Sequence, residues 1–269
     1  MQTPEDQPKI TRRTLLAALP GLLLLPAGCA KAPSSGITSP VSGPQLLISM
    51  TVAGTINPSY YYFVLFNVND TPSQNNSGPT GPVPVVAPPY GNGFAAGAIT
   101  NFVEHNSGVP GGTGFGFYGF SDPKLLQPSY LGSSQYLVTS QAIGSTLSFQ
   151  LPLVYLATSA ITVDQIQTLQ INFVATNTIQ VIGENFSTPK YFDALYPPDQ
   201  ASASFVNVPV RLTAGGPVQQ LNYLNTNIES GGDVAQYVGG IPVIASGVQN
   251  GVTIADLDIT DFTIRLNLP

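Results

Sequence analysis

Three aspartates near the end of the chain form the densest group of acidic residues in the sequence. Asp256, Asp258 and Asp261 lie close together there. Carboxylate oxygens, together with backbone carbonyls, are the ligands that Ca²⁺ takes in proteins. We name these three residues as the candidate metal site, with a solvated, charged strand edge as the alternative. If residues 256–260 form a strand, Asp256 and Asp258 share one face of it and Asp261 points the other way. No other cofactor is predicted.

The residue types needed for catalysis are sparse. The chain has one histidine, His105, and no Gly-x-Ser-x-Gly elbow to place an activated serine beside it. We therefore expect His105 at a strand end or in a loop, without a catalytic role. A glycosidase would need two carboxylates across a cleft, one of them with a raised pKa, and the scattered acids do not indicate such a pair. The sequence predicts a protein without catalytic activity.

A segment rich in proline and glycine, residues 69–97, reads as a long loop. Loops of this length in compact domains are often functional, and loop aromatics commonly serve recognition. We therefore predict that Asp70, Tyr90, Asn92 and Phe94 contact a ligand, with the two rings exposed. The alternative is that the rings cover the core beneath the loop.

The N-terminal residues have the layout of an export signal. Basic residues at Lys9, Arg12 and Arg13 precede a short apolar run, residues 14–25, and small residues follow it. This order is typical of a secretory signal, and the run is too short to span a bilayer.

Two motifs refine this prediction. The segment Leu-Pro-Ala-Gly-Cys at residues 25–29 resembles a bacterial lipobox, although Pro26 stands where an aliphatic residue is usual. The resemblance implies cleavage before Cys29 and lipidation of its thiol, with an ordinary signal cleavage nearby as the alternative. The pair Arg12–Arg13 and the apolar residues after it resemble the twin-arginine export motif, with Sec export as the alternative. We therefore expect an exported protein, anchored to the membrane by lipid on its periplasmic or cell-surface side.

The amino-acid composition excludes several classes of protein. Only 8% of residues are charged and the net charge is −6, which does not suit a nucleic-acid partner. A single cysteine excludes a disulfide scaffold. The chain is 43% apolar, which suffices for a sizeable core.

The elements that must position these residues are strands. Residues 45–53 alternate between apolar and wetter positions, residues 60–66 are apolar on both faces, and residues 262–268 show the clearest alternation. Short helical turns are expected at the capping box of residues 162–165 and at residues 191–195. We predict an all-β fold, a single antiparallel β-sandwich of about nine or ten strands with one or two short helical turns. Its domain covers residues 45–269, after a signal peptide, residues 1–28, and a flexible lipidated tether, residues 29–44.

A family resemblance supports this fold. The aromatic strand that runs into a Gly-Pro loop, residues 60–82, looks like the opening of DOMON-like and family 9 carbohydrate-binding sandwiches. Residues 169–173 and 193–195 fit the second half of those modules. The resemblance implies a β-sandwich, and such modules bind sugars, haem or calcium.

Together these patterns predict a lipid-anchored extracytoplasmic binding module for carbohydrate or an envelope component. Its partners would be the membrane, through the anchor, and a carbohydrate or envelope protein. A structural or assembly protein of the cell envelope is the alternative, and a glycosidase-type enzyme is the third.

Overall fold

A computed structural model describes residues 43–72, 81–85, 91–120, 127–133, 135–181, 189–195, 205–210, 219–221, 234–238 and 241–267. The predicted signal peptide, Arg12, Arg13, Cys29, the tether up to residue 42 and Tyr90 lie outside the described residues. The described part of the chain contains no helix with the length and apolarity that a membrane span requires.

The described residues form an all-β structure with eighteen strands and three short 3₁₀ helices. The strands are β1 (Gln45–Val52), β2 (Tyr61–Asn69), β3 (Pro82–Pro84), β4 (Ala95–Gly97), β5 (Asn101–His105), β6 (Phe115–Phe120), β7 (Pro128–Gly132), β8 (Thr139–Ile143), β9 (Thr146–Pro152), β10 (Thr168–Thr176), β11 (Tyr191–Ala194), β12 (Val206–Pro209), β13 (Gln219–Leu221), β14 (Ala235–Val238), β15 (Ile241–Ile244), β16 (Val248–Gln249), β17 (Val252–Thr253) and β18 (Ile259–Asn267). The 3₁₀ helices are Leu153–Leu156, Val163–Gln165 and Ile254–Asp256.

Two antiparallel sheets account for most of the strands. The five-stranded sheet has the order β13-β18-β1-β9-β8. The nine-stranded sheet has the order β15-β14-β11-β10-β2-β5-β6-β7, and β12 also pairs with β10. Two small hairpins, β3–β4 and β16–β17, complete the fold.

The main core lies between the two sheets. Every second residue of β1, Leu46, Ile48, Met50 and Val52, is buried, as the alternation in the sequence predicts. Apolar residues of the nine-stranded sheet belong to the same cluster. Across the sheets, the rings of Phe173 in β10 and Phe262 in β18 lie 4.8 Å apart. The all-β sandwich prediction is confirmed.

The far side of the nine-stranded sheet carries a second apolar cluster. Strand β2 is buried on both faces because alternate residues point into different clusters. Phe63 and Leu65 of β2 pack there with Phe94 and Phe102. The segment around β4 therefore covers this face.

Several local predictions differ from the structure. About nine or ten strands were expected, and the described residues form eighteen. Many of them are only two to four residues long, which is too short for a periodic pattern to show in the sequence. The 3₁₀ helix at the capping box of Thr162 and Gln165 is confirmed. The helical turn predicted over residues 191–195 is wrong, because residues 191–194 form β11, which pairs with β10 and β14. The long loop of residues 69–97 contains the hairpin β3–β4.

Candidate functional site

The outer face of the five-stranded sheet carries an open groove of about 320 Å³. This volume lies at the lower end of the range usual for small-ligand sites. Its lining comes from β1, β8, β9 and β18: Leu47, Ile48, Ser49, Thr139, Gln141, Ser148, Phe149, Gln150, Thr263 and Arg265. Ile48 and Phe149 have side chains buried in the core, so their contribution is the strand backbone at the groove floor.

Strand register arranges the outward side chains in rows. One row runs Thr139, Gln150, Leu47, Arg265 from β8 to β18. The next runs Gln141, Ser148, Ser49, Thr263. Neighbouring members of a row are about 4.8 Å apart across the strands, and the rows are about 7 Å apart along them.

Short side chains occupy the centre of the second row. Ser49 and Ser148 are directly opposite each other in β1 and β9. Their short side chains lie between the longer Gln150 and Leu47 in the first row and the row of Thr51 and Thr146. The side-chain hydroxyls of Thr51 and Thr146 form a hydrogen bond of 3.0 Å, which links β1 and β9 in that row.

A tight turn between β8 and β9 fixes this register at the β8 edge of the five-stranded sheet. Strands β8 and β9 are joined through Gly144 and Ser145, with Ile143 paired to Thr146. Gly144 has φ +59°, which glycine adopts without strain and which suits the first central position of a tight hairpin turn. A slip of one residue would turn the polar side chains into the core.

Among the described residues, the polar side chains of the groove take no part in holding the fold together. Within the described part of the chain, no side-chain hydrogen bond or ion pair is made by Ser49, Thr139, Gln141, Ser148, Gln150, Thr263 or Arg265. Their hydroxyl, amide and guanidinium groups are therefore available to a ligand, as donors and, except for Arg265, as acceptors. Leu47 supplies an apolar surface between Gln150 and Arg265.

Charge in the groove is limited to one end. Arg265 is exposed and is the charged residue of the lining. Asp261 lies on the same strand and, by alternation, the same face, four residues earlier. That separation is about 13 Å, beyond the screening length of about 8 Å at physiological salt. Arg265 therefore keeps its positive field.

The loop residues predicted to contact a ligand are placed differently. Phe94 is buried rather than exposed, and its ring stacks on Phe63 at 4.1 Å between centroids. The prediction of an exposed Phe94 is wrong because the aromatic face of the nine-stranded sheet needs a cover. Asn92 is also buried, and its side-chain oxygen accepts the backbone N–H groups of Phe94 and Ala95 at 3.0 and 2.8 Å. Asp70 is exposed just after β2 and does not line the groove.

A buried lysine holds the same segment in place. The Lys190 ammonium group donates a hydrogen bond to the carbonyl oxygen of Gly93. Burial lowers the pKa of Lys190 to about 7. Gly93 has φ +93°, and a Cβ there would lie 2.4 Å from the Ile179 side chain, so only glycine fits.

The three C-terminal aspartates are not brought together. Asp256 ends a 3₁₀ helix and accepts the Thr55 N–H at 2.9 Å, whereas Asp258 is buried and Asp261 lies in β18. The expected strand over residues 256–260 begins only at residue 259, so the shared face for Asp256 and Asp258 is not formed. Among the described residues no group of three or more His, Cys, Asp or Glu side chains could hold a metal ion.

His105 is the last residue of β5, as predicted for a strand-end histidine. It is buried between the rings of Phe115, at 4.4 Å, and Tyr62, at 6.0 Å. Burial lowers its pKa, while a hydrogen bond with the Gly114 backbone acts in the opposite direction. The neutral imidazole is therefore the favoured state.

Glu104, the preceding residue, has a raised pKa because it is largely buried, although its hydrogen bond with Tyr118 opposes that effect. Its side chain lies on the covered side of the nine-stranded sheet, with Phe63 as its cross-strand partner.

Comparison with protein-family models, with curated proteins and with solved structures finds no match for this chain. The sequence analysis did not predict this groove and predicted ligand contacts on the loop of residues 69–97 instead. A signal was present, because β1, β9 and β18 each show a wetter face in the sequence.

Proposed function

We propose that this protein is a non-catalytic binding module whose five-stranded sheet binds carbohydrate on its outer face. The observation that carries the proposal is the set of seven groove side chains that make no hydrogen bond within the described protein. Sugars present several hydroxyls on a compact ring and need matching donors and acceptors. Serine, threonine and glutamine each supply both.

The arrangement of the groove also suits a sugar. A binding site held on strands is positioned more firmly than one on loops. Leu47 offers an apolar contact for the C–H face of a ring, between polar groups on either side in its row. The predicted lipid on Cys29 and the tether after it would hold such a module at the envelope, where polysaccharides are abundant.

Blocking the groove tests the proposal. The variant Ser49→Trp places a large ring in the centre of the face without entering the core, because Ser49 points outward. Binding to an array of immobilised polysaccharides should be lost, with the melting temperature nearly unchanged. The matched control is Ser159→Trp, at an exposed loop position that does not line the groove.

Glycan binding that survives in Ser49→Trp at wild-type strength would contradict the proposed groove. Absence of binding to any polysaccharide by the wild-type protein would contradict the carbohydrate function itself.

A second candidate function, envelope assembly, is favoured by one observation. Strand β8 ends the five-stranded sheet in the described part of the chain, and its residues, Thr-Ser-Gln-Ala-Ile, carry no charge or proline. Edges of this kind can pair with another copy. Ile143 is 69% exposed there. Sedimentation should then show concentration-dependent self-association that Ile143→Lys abolishes.

A further inference from the structure

We propose that the ligand of the groove is an acidic polysaccharide whose uronate carboxylate pairs with Arg265. This inference rests on the proposed carbohydrate function and specifies its substrate class. A planar guanidinium offers five donors in a fork that fits a carboxylate through two parallel hydrogen bonds.

The availability of Arg265 is the first argument. Basic residues are scarce in this chain, eight in 269, and the net charge is −6. Among the described residues, the Arg265 side chain has no ion pair or hydrogen bond. Within the described residues, the groove therefore presents one positive charge without an acidic partner.

The position of Arg265 in its row is the second argument. Leu47 lies beside it on β1, about 4.8 Å away, and Gln150 lies one strand further on β9. In a uronate the carboxylate is attached directly to the sugar ring. When it pairs with Arg265, the ring lies over Leu47 and its hydroxyls reach Gln150 and the neighbouring Thr263. A phosphate group on a flexible substituent would not hold the ring in this place.

Asp261 places a negative charge on the same face, away from Arg265. It is in the row of Thr51 and Thr146, at the opposite end of the face from Arg265. Its negative charge disfavours a second carboxylate at that end. An acidic polysaccharide is therefore expected to bind in one orientation, with a carboxylate at the Arg265 end.

The test uses a matched pair of ligands and two matched variants of the full chain. The ligands are polygalacturonate and the same polymer with its carboxylates reduced to alcohols. Calorimetry should show that the wild-type protein binds polygalacturonate about two- to fivefold more tightly than the reduced polymer, the range expected for an exposed ion pair. The preference should weaken as salt is raised, because the pair is exposed.

The two variants assign the preference to one residue. Arg265→Gln keeps a polar side chain of similar length and should bind both polymers equally, at the affinity of the reduced polymer. Asp261→Asn removes a charge from the same strand and face, and should keep the preference or increase it.

The outcomes separate this inference from the proposed function. Equal binding of both polymers by the wild-type protein, lost in Ser49→Trp, would overturn the uronate proposal and leave carbohydrate binding standing. A preference that persists in Arg265→Gln would also overturn it, as would binding restricted to a phosphate-substituted glycan. Binding to none of these glycans would overturn both proposals.

Discussion

Replacing Phe94 by alanine should destabilise the domain strongly. The ring is 3% exposed, stacks on Phe63 at 4.1 Å and meets Phe102 edge-on at 5.1 Å. Removing a buried phenylalanine costs about 3–5 kcal/mol, a range that includes the transfer free energy and the cavity left behind. Each aromatic pair contributes about 0.5–1.5 kcal/mol beyond burial, which places this site in the upper part of the range.

Thermal and urea unfolding measure this effect directly. For a chain of this size, 1 kcal/mol lowers the melting temperature by about 2–4 °C, so Phe94→Ala should lower it by about 6–20 °C. The control is Ile143→Ala, which also truncates a large apolar side chain but at a position that is 69% exposed. That change should stay within about 0.5 kcal/mol.

The comparison between the two variants decides the role of the segment. If Phe94→Ala melts within the error of Ile143→Ala, the ring does not belong to the core. The assignment of residues 91–97 as a cover for the nine-stranded sheet would then be refuted. The loop would again be a candidate ligand-binding segment.

Three further predictions concern charge and export. Burial lowers the pKa of Lys190 to about 7, so above that pH the native side chain binds fewer protons than the unfolded one. The free energy of unfolding should therefore rise between pH 7 and about 9.5, by at most about 1.4 kcal/mol per pH unit. Urea titrations should show a flatter slope for Lys190→Met, and an unchanged slope would refute the assignment. Cys29→Ala should move the protein from the membrane to the soluble fraction of cell lysates, and an unchanged membrane fraction would refute lipidation. Changing Arg12 and Arg13 together to lysine should stop export if the twin-arginine route is used, as fractionation will show, whereas normal export would indicate the Sec route.

Strand existence was predictable wherever one side of a strand faces water. In β1 and β18 the alternation of apolar and polar residues states which side chains face the core, because side chains in a strand point to opposite faces in turn. The same reasoning identified β2 as a strand covered on both sides. Residues 191–195 were misjudged because the four residues of β11 are too few for a period to show. Their strand conformation comes from pairing with β10 and β14, which are distant in sequence.

The all-β class, the main strands and their inward and outward faces could be predicted from the residue pattern alone, and the same pattern predicts an exported protein. It could not show what covers each outer face, since nothing in the residues around Phe94 or Leu47 states whether another segment packs over that side chain. Tertiary packing decided that Phe94 would be buried against Phe63, and that Leu47 would remain in an open groove. Cross-strand register likewise placed Leu47 beside Arg265, because hydrogen-bonded ladders join strands from the two ends of the domain. A binding face made of several strands is a property of that register, and no single stretch of the sequence contains it.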